Sequence, residues 1–243
     1  MCRMLGFSAD HPLSIAPFLD ALAHQAQYGV KPGNRPHEDG WGMLVRTPAG
    51  FVHVRFDHAM WKSDYDGFRH LCATVGVFHA RLASENTPID LTKVHPFCAR
   101  SGNDLLAFCH NGSVGNVALM PRPNRISLPE DAIDSEIYFS LVREMILDGQ
   151  TPAEALRSAA QNIFATPCEA SSLNALLLAG QRLAAFKGRT LPSYAHYHTL
   201  FMQKGDGCIV ISTERVSGFG EPEPLVGALE LENGQVLKQI ALS

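Results

Sequence analysis

Surplus positive charge is missing from this sequence: 20 Lys and Arg face 24 Asp and Glu, leaving a formal charge of −4 and a pI near 6.2. Nucleic acid is held by neutralising its phosphates with basic surface, so this balance argues against that class of partner, and no run of like charge forms an interaction tail. Long apolar runs are missing too. No stretch reaches the ~18 consecutive apolar residues of a membrane-spanning helix, and no basic leader with an apolar run precedes Cys2. The expectation is a cytoplasmic protein without membrane attachment whose partners are small molecules. The six cysteines, at 2, 72, 98, 109, 168 and 208, form no Cys-x-x-Cys pair and no closely spaced quartet with histidine. No metal site and no other cofactor is therefore expected. They are scattered through a chain too large to need disulfide staples, which fits reduced thiols.

What is present begins at the first residues. With 243 residues and 46% hydrophobic content the chain can bury the core of one large domain, expected over 2–243. Cysteine at the second position is small enough for an aminopeptidase to remove Met1. Cys2 would then carry a free α-amine beside its own thiol, a base and a nucleophile in one residue. The plainer reading makes Cys2 a buried apolar residue of a first strand.

Ile15, Phe18, Leu19, Leu22, Ala23 and Ala26 recur with the helical period and predict a helix buried on one side. Gly40-Trp41-Gly42 either lets the backbone approach a ligand while the ring closes over it, or makes a tight turn before a strand at 43–46. The alternation at 51–56 predicts a half-buried strand paired with the preceding one, with His53 and His58 on the surface. A buried strand at 74–81 ends on Arg81, whose guanidinium either forks onto a carboxylate at the mouth of a cleft or makes an ordinary ion pair. Leu82-Ala83-Ser84-Glu85-Asn86 and the loop to His95-Pro96-Phe97 are polar enough to line a site.

A core strand at 105–109 runs into His110-Asn111-Gly112. The Asn111 side-chain N–H and the Gly112 backbone N–H are two neutral donors of the kind that hold an oxyanion. Asn-Gly is also the commonest hairpin signal, but 113–117 makes a poor return strand. Asp134 either caps a helix bearing Ile137, Tyr138, Leu141, Val142 and Met145, closed by Gly149, or pairs with a substrate ammonium group. Thr151-Pro152-Ala153-Glu154 is a capping box opening a further helix through Ile163. Strands are expected at 174–179, 182–187, 194–202, 208–212, 225–231 and 235–242, the last two joined at Asn233-Gly234, with His196 and His198 as ordinary strand residues facing one side. This segregated order predicts antiparallel sheets covered by helices, an α+β layered domain.

Cys2, Asp39-Gly40-Trp41-Gly42, His79-Ala80-Arg81, His95-Pro96-Phe97, His110-Asn111-Gly112 and Asp134-Ser135-Glu136, in this order, resemble class II glutamine amidotransferase domains. The likeness is greatest to the stand-alone bacterial type, a group that includes the γ-glutamyl hydrolase of ergothioneine biosynthesis. The motifs cover roughly the first 140 residues. The resemblance implies an N-terminal-nucleophile hydrolase fold, a four-layer αββα sandwich with two antiparallel sheets. It implies Cys2 as nucleophile, Asn111 and Gly112 as oxyanion hole, Arg81 on the substrate α-carboxylate and Asp134 on its α-ammonium. The chemistry implied is cleavage of the γ-amide of glutamine or a γ-glutamyl compound through a γ-glutamyl thioester at Cys2.

After Arg81, better-known members carry Trp, Ala, Thr, His where this chain has Leu82, Ala83, Ser84, Glu85, so only backbone contacts of Leu82 and Ser84 to substrate carry over. No synthase domain follows, which implies an ammonia-accepting partner enzyme or plain hydrolysis. Selectivity for the leaving group is expected from loops 27–37 and 85–94. The alternative is a non-catalytic binding module of the same fold that keeps Met1 and the Arg81 and Asp134 contacts.

Overall fold

The computed structural model describes residues 2–29, 35–84, 87–102 and 104–242. The long first strand β1 (Arg3–Ser14) is followed at once by helix α1 (Ala16–Tyr28), then β2 (Trp41–Thr47), β3 (Gly50–Phe56), β4 (Cys72–Ala80), β5 (Phe97–Ser101) and β6 (Asp104–Asn111). Helices α2 (Asp134–Leu147) and α3 (Pro152–Phe164) come next. The remainder is strands: β7 (Asn174–Ala179), β8 (Arg182–Lys187), β9 (Phe201–Gly205), β10 (Cys208–Ser212), β11 (Glu223–Pro224), β12 (Gly227–Glu232) and β13 (Gln235–Ile240). One sheet has seven strands in the order β11-β9-β10-β1-β4-β2-β3 and the other six in the order β13-β12-β8-β7-β6-β5. All pairings are antiparallel.

The layers follow from which face each strand makes apolar. Leu5, Phe7, Phe78 and Ala80 pack against Phe18, Leu19 and Leu22 of α1 on the outside of the seven-stranded sheet, with Phe7 and Phe18 stacked 4.3 Å apart. Phe108, Leu177 and Ala184 pack against α2 and α3 on the outside of the other. The alternate residues, among them Met4, Val75, Val77, Ala107, Cys109, Leu176 and Leu178, meet between the sheets. The result is the expected αββα sandwich with two antiparallel sheets.

Proline at the first position of α3 suits a helix start, and the Glu154 carboxylate reaches back to the Thr151 N–H at 3.0 Å. Gly149 ends the α2 segment at φ +84°, where a side chain would be strained. Among the described residues no helix is long and apolar enough to cross a membrane.

Three local expectations change. The strand expected at 194–202 is mostly a 3-10 turn and loop: only Phe201–Gly205 pairs, His196 is exposed and His198 is buried off any strand. Trp41 is neither a lid nor in a turn. It starts β2, is fully buried and stacks on Phe56 at 4.9 Å, with Nε1 donating to Ser63 Oγ. Asp134 is the first residue of α2 rather than its cap, which is Ile133.

Candidate active site

The inter-sheet faces keep their period of two to the ends of their strands, but the residue type changes there. On β1 the series Met4, Cys2, on β4 the series Val75, Val77, His79, on β6 the series Ala107, Cys109, Asn111 and on β7 the series Leu178, Leu176, Asn174 each pass from apolar to polar toward one end. The strand pairing brings these ends together, with Asn111 opposite Asn174 and His79 opposite Met4. A buried polar cluster thus closes one end of an otherwise apolar interior.

Cys2 is 7% exposed, and its backbone nitrogen donates to Asn111 Oδ1 at 3.0 Å. That bond turns the Asn111 amide so that Nδ2, fully buried, has no hydrogen-bond partner. Buried amide N–H groups left unpaired are costly in a folded protein, and here the free donor lies on the residue that binds Cys2. Gly112 follows where no side chain fits, since a Cβ would stand 1.9 Å from the Ser172 carbonyl oxygen. The Cys2 thiol lies 3.9 Å from the Leu82 carbonyl oxygen. Burial pushes its pKa up, but the charges of His79 and of the N-terminus, with a smaller contribution from the Leu82 backbone, prevail and bring it down to about 6. The interior thiols behave oppositely: burial raises Cys98 and Cys208 to about 12 and holds Cys109 well above 9.

Arg81 leaves the end of β4 and turns inward rather than sitting at an open mouth. It is 3% exposed, its Nη2 donates to the Pro88 carbonyl at 3.0 Å, and its Nη1 has no partner. Among the described residues it makes no salt bridge. The chain after it is fixed by Asp39, a residue of the sequence motif with no role assigned from sequence. Its Oδ2 accepts the Ala83 N–H at 2.8 Å, its own N–H donates to the Arg81 carbonyl at 3.0 Å, and the Arg81 N–H donates to Gly40 O at 2.8 Å. This pinning fixes the backbone of buried Leu82, whose carbonyl faces the Cys2 thiol, while Ser84 two residues on is exposed. Glu85, Asn86, residues 30–34 of the first selectivity loop and Met1 lie outside the described residues.

Asp134 is already engaged: Oδ2 accepts the Val114 N–H at 2.8 Å and Oδ1 the Ser135 N–H at 2.8 Å. It ties α2 to the segment just after Gly112. His110 does the same from the other side, since Nε2 donates to Ser172 O at 3.2 Å and Nδ1 accepts from Ser135 Oγ at 2.8 Å.

Several residues of this region carried no sequence signal of their own. Arg3 is fully buried, pairs with Glu214 at 2.8 Å and lies 4.4 Å over the Tyr197 ring. Tyr197 in turn donates to His37 Nε2 at 2.7 Å. Only the packing of distant segments reveals these partners. His79 and Asn174 were findable in principle, because they continue apolar alternations as polar residues. No group of three or more His, Cys, Asp or Glu suited to a metal ion occurs among the described residues.

No curated protein sequence matches the chain. Among solved structures it is similar to the glutamine phosphoribosylpyrophosphate amidotransferase from B. subtilis, complexed with ADP and GMP, with TM-score 0.69 and 15% identity, covering 100% of this chain and 50% of that one. It is also similar to a predicted glutamine amidotransferase from Pseudomonas aeruginosa PA01, with TM-score 0.61 and 18% identity over 98% of this chain and 100% of the other. A glutamine aminotransferase class-II domain protein from Silicibacter pomeroyi aligns with TM-score 0.64 and 16% identity over 99% and 100%. The chain thus spans about half the length of the first of these and the whole of the other two. At such identities the likeness is one of fold, the N-terminal-nucleophile hydrolase sandwich. The model of the family described as glutamine amidotransferases class-II matches residues 1–201, and the chain belongs to that family.

Proposed function

We propose that the protein is a cysteine-dependent amidohydrolase that cleaves the γ-amide of glutamine or of a γ-glutamyl compound. The observation that carries this reading is the Cys2 backbone nitrogen bound at 3.0 Å to an asparagine whose amide N–H₂ is buried and unpartnered. After removal of Met1 that nitrogen is the α-amine. It then keeps its hydrogen bond to Asn111 and is available to accept the thiol proton. The thiolate attacks the γ-carbonyl, and the developing oxyanion is held by Asn111 Nδ2 and the Gly112 N–H. Loss of ammonia or an amine leaves a γ-glutamyl thioester at Cys2, which water cleaves.

The head group of the substrate carries one negative and one positive charge. Arg81 supplies a buried guanidinium with Nη1 free for the α-carboxylate. Asp134 supplies the anion for the α-ammonium, using lone pairs left beyond its two backbone bonds. Leu82 and Ser84 contribute backbone contacts. Ammonia released from glutamine itself passes to water or to an accepting partner enzyme. The test is a mass-spectrometric screen for amine release from a panel of γ-glutamyl amides by the processed protein and by Cys2→Ala. Release by the first alone is expected; equal rates overturn the assignment.

A further inference from the structure

The unpaired donor on Asn111 has a counterpart one strand away. Asn174 begins β7 and stands directly opposite Asn111 in the β6–β7 register, so the two side chains lie side by side on one face, with Cβ atoms ~4.5–5.5 Å apart. Both are fully buried. The Asn174 Nδ2 donates to the His198 backbone carbonyl at 3.0 Å. A carbonyl only accepts, so that bond fixes which end of the amide is nitrogen and leaves Oδ1 turned the other way. Oδ1 is buried and, among the described residues, has no hydrogen-bond partner. A free N–H on Asn111 and a free C=O on Asn174 would ordinarily satisfy one another. Each amide is instead held by a bond already made, Asn111 by the Cys2 nitrogen and Asn174 by His198, and leaving such groups buried and unpaired is costly.

Removal of Met1 supplies the donor that this oxygen lacks. As a peptide nitrogen, Cys2 N has one hydrogen, and Asn111 Oδ1 already takes it. As a neutral α-amine it has two hydrogens and a lone pair. We propose that Asn174 is a positioning residue for the nucleophile: its Oδ1 accepts the second hydrogen of the processed Cys2 α-amine, so that the two asparagines hold both hydrogens and the lone pair is left for the thiol. When the S–H bond breaks, its electron pair stays on sulfur and the proton bonds to that lone pair. Both asparagine oxygens then face an ammonium group, and hydrogen bonds from a charged donor are the stronger kind. The proton passes on to the nitrogen that leaves when the γ-amide is cleaved.

The surroundings favour Asn174 for this role. Strand β1 packs on β7 as well as on β6 across the inter-sheet layer, and the charge of the N-terminus reaches His198, the residue to which Asn174 is bonded. Nearby carbonyls are taken: Leu82 O faces the Cys2 thiol, His110 O lies 3.2 Å from His79 Nε2, and Ser172 O lies 3.2 Å from His110 Nε2. Of the charged and titratable groups around the site, Arg3 is paired with Glu214, Arg81 on β4 is bound to Pro88 O, and Asp134 on α2 accepts from two backbone N–H groups. Burial disfavours the charged forms of His95, His110, His198 and the Cys109 thiol. His79 Nδ1, on β4, is another bare acceptor on the inter-sheet face, and the experiment separates it from Asn174.

The proposal rests on the processed Cys2 of the hydrolase reading, but its tests need no substrate, so a protein that cleaves no amide can still show the contact and an active one can lack it. Processed protein is released from a cleavable fusion where the cell leaves Met1 in place. The first test follows the α-amine alone, in a Cys2→Ser background that keeps the amine and removes the thiol. The pH midpoint of its carbamylation by cyanate is read on the N-terminal peptide by mass spectrometry. Asn174→Leu removes an acceptor of the ammonium form and should lower the midpoint by about 1, roughly a tenfold change in the protonation ratio. Asn174→Asp sets a carboxylate there and should raise it. Midpoints unmoved by both substitutions in folded proteins overturn the proposal, as does a shift produced by His79→Gln alone.

The second test keeps Cys2 and compares the processed chain with one that retains Met1, made with the aminopeptidase inhibited. Asn174→Leu costs the chain with Met1 only the bond to His198 O, and costs the processed chain the bond to the amine as well. The fall in melting temperature should therefore be greater in the processed protein, by about 2–4 °C. Equal falls in the two forms overturn the proposal, because they assign Asn174 to holding His198 and nothing more.

Discussion

Replacing Asn111 with alanine removes two things that the structure separates. The first is the bond from the Cys2 nitrogen to Oδ1 at 3.0 Å, present in the resting protein. The second is Nδ2, which bonds to nothing there, so that its removal costs the resting protein no bond and relieves the penalty of an unpaired buried donor. An ordinary hydrogen bond is worth ~0.5–1.5 kcal/mol net, which for a domain of this size lowers the melting temperature by no more than about 6 °C. A preorganised donor to an oxyanion is worth ~2.7–4 kcal/mol in the transition state, a fall of roughly 10²–10³ in kcat. The substitution should therefore leave a folded protein with a modest loss of stability and a large loss of kcat, with KM for the γ-glutamyl amide nearly unchanged. Asn111→Asp keeps an oxygen for the Cys2 nitrogen but sets a carboxylate where the donor stood, so it should lose at least as much kcat while melting closer to the parent. Melting curves and amine release over a range of substrate concentrations give all the quantities. A kcat for Asn111→Ala within about tenfold of the parent, or a loss confined to KM, would refute the reasoning.

Further outcomes follow from the same geometry. Gly112→Ala puts a Cβ against the Ser172 carbonyl, 1.9 Å away, so β6 must shift from β7; turnover should fall and the melting temperature drop by several degrees, and a protein unchanged in both would contradict the packing. Arg81→Gln keeps a donor for Pro88 O but loses the buried charge. Losing a charge pair of this kind costs ~2–5 kcal/mol, so KM for glutamine-like substrates should rise by roughly 10² or more, with little change for an amide lacking the α-carboxylate. Stability should fall on acidification, because His37 and His198 have folded-state values of about 2 and 3 against 6.5 in the unfolded chain. The unfolded state binds the extra protons, so their contribution is intact above pH 6.5 and erodes by up to ~1.4 kcal/mol per unit for each ring as pH falls below it. Melting at pH 7 and 5 checks this, and His37→Gln should flatten the slope.

Much of the layered fold was legible because each element announces its period. The helical stripe from Ile15 to Ala26, the alternation from Phe51 to Phe56 and the Thr151 to Glu154 box all appear where the residues place them. The segment 194–202 misled because Tyr197 and His198 are buried through contacts to distant residues, the first by its hydroxyl on His37 and the second with its backbone carbonyl accepting from Asn174, in a stretch that joins no strand. Trp41 misled in the opposite sense, since flanking glycines suggested a loop. Gly42 lies where a Cβ would meet the His95 carbonyl at 2.5 Å, so the close approach is made by the protein's own backbone. Of the site, Cys2, Asn111 and Gly112 were readable from residue type and order. The supporting bonds of Asp39, Arg3 and His79 were not, because each joins segments distant in sequence and depends on strand register.

The central claim is that the sulfur of Cys2 becomes acylated. Acid quenching of the processed protein during turnover of a γ-glutamyl amide, followed by mass analysis of the N-terminal peptide, tests it directly. The account predicts a γ-glutamyl adduct on Cys2 that grows in on mixing, decays when substrate is exhausted and is missing in Cys2→Ala. Steady turnover with the adduct on another residue, or with Cys2→Ala as active as the parent, would contradict it.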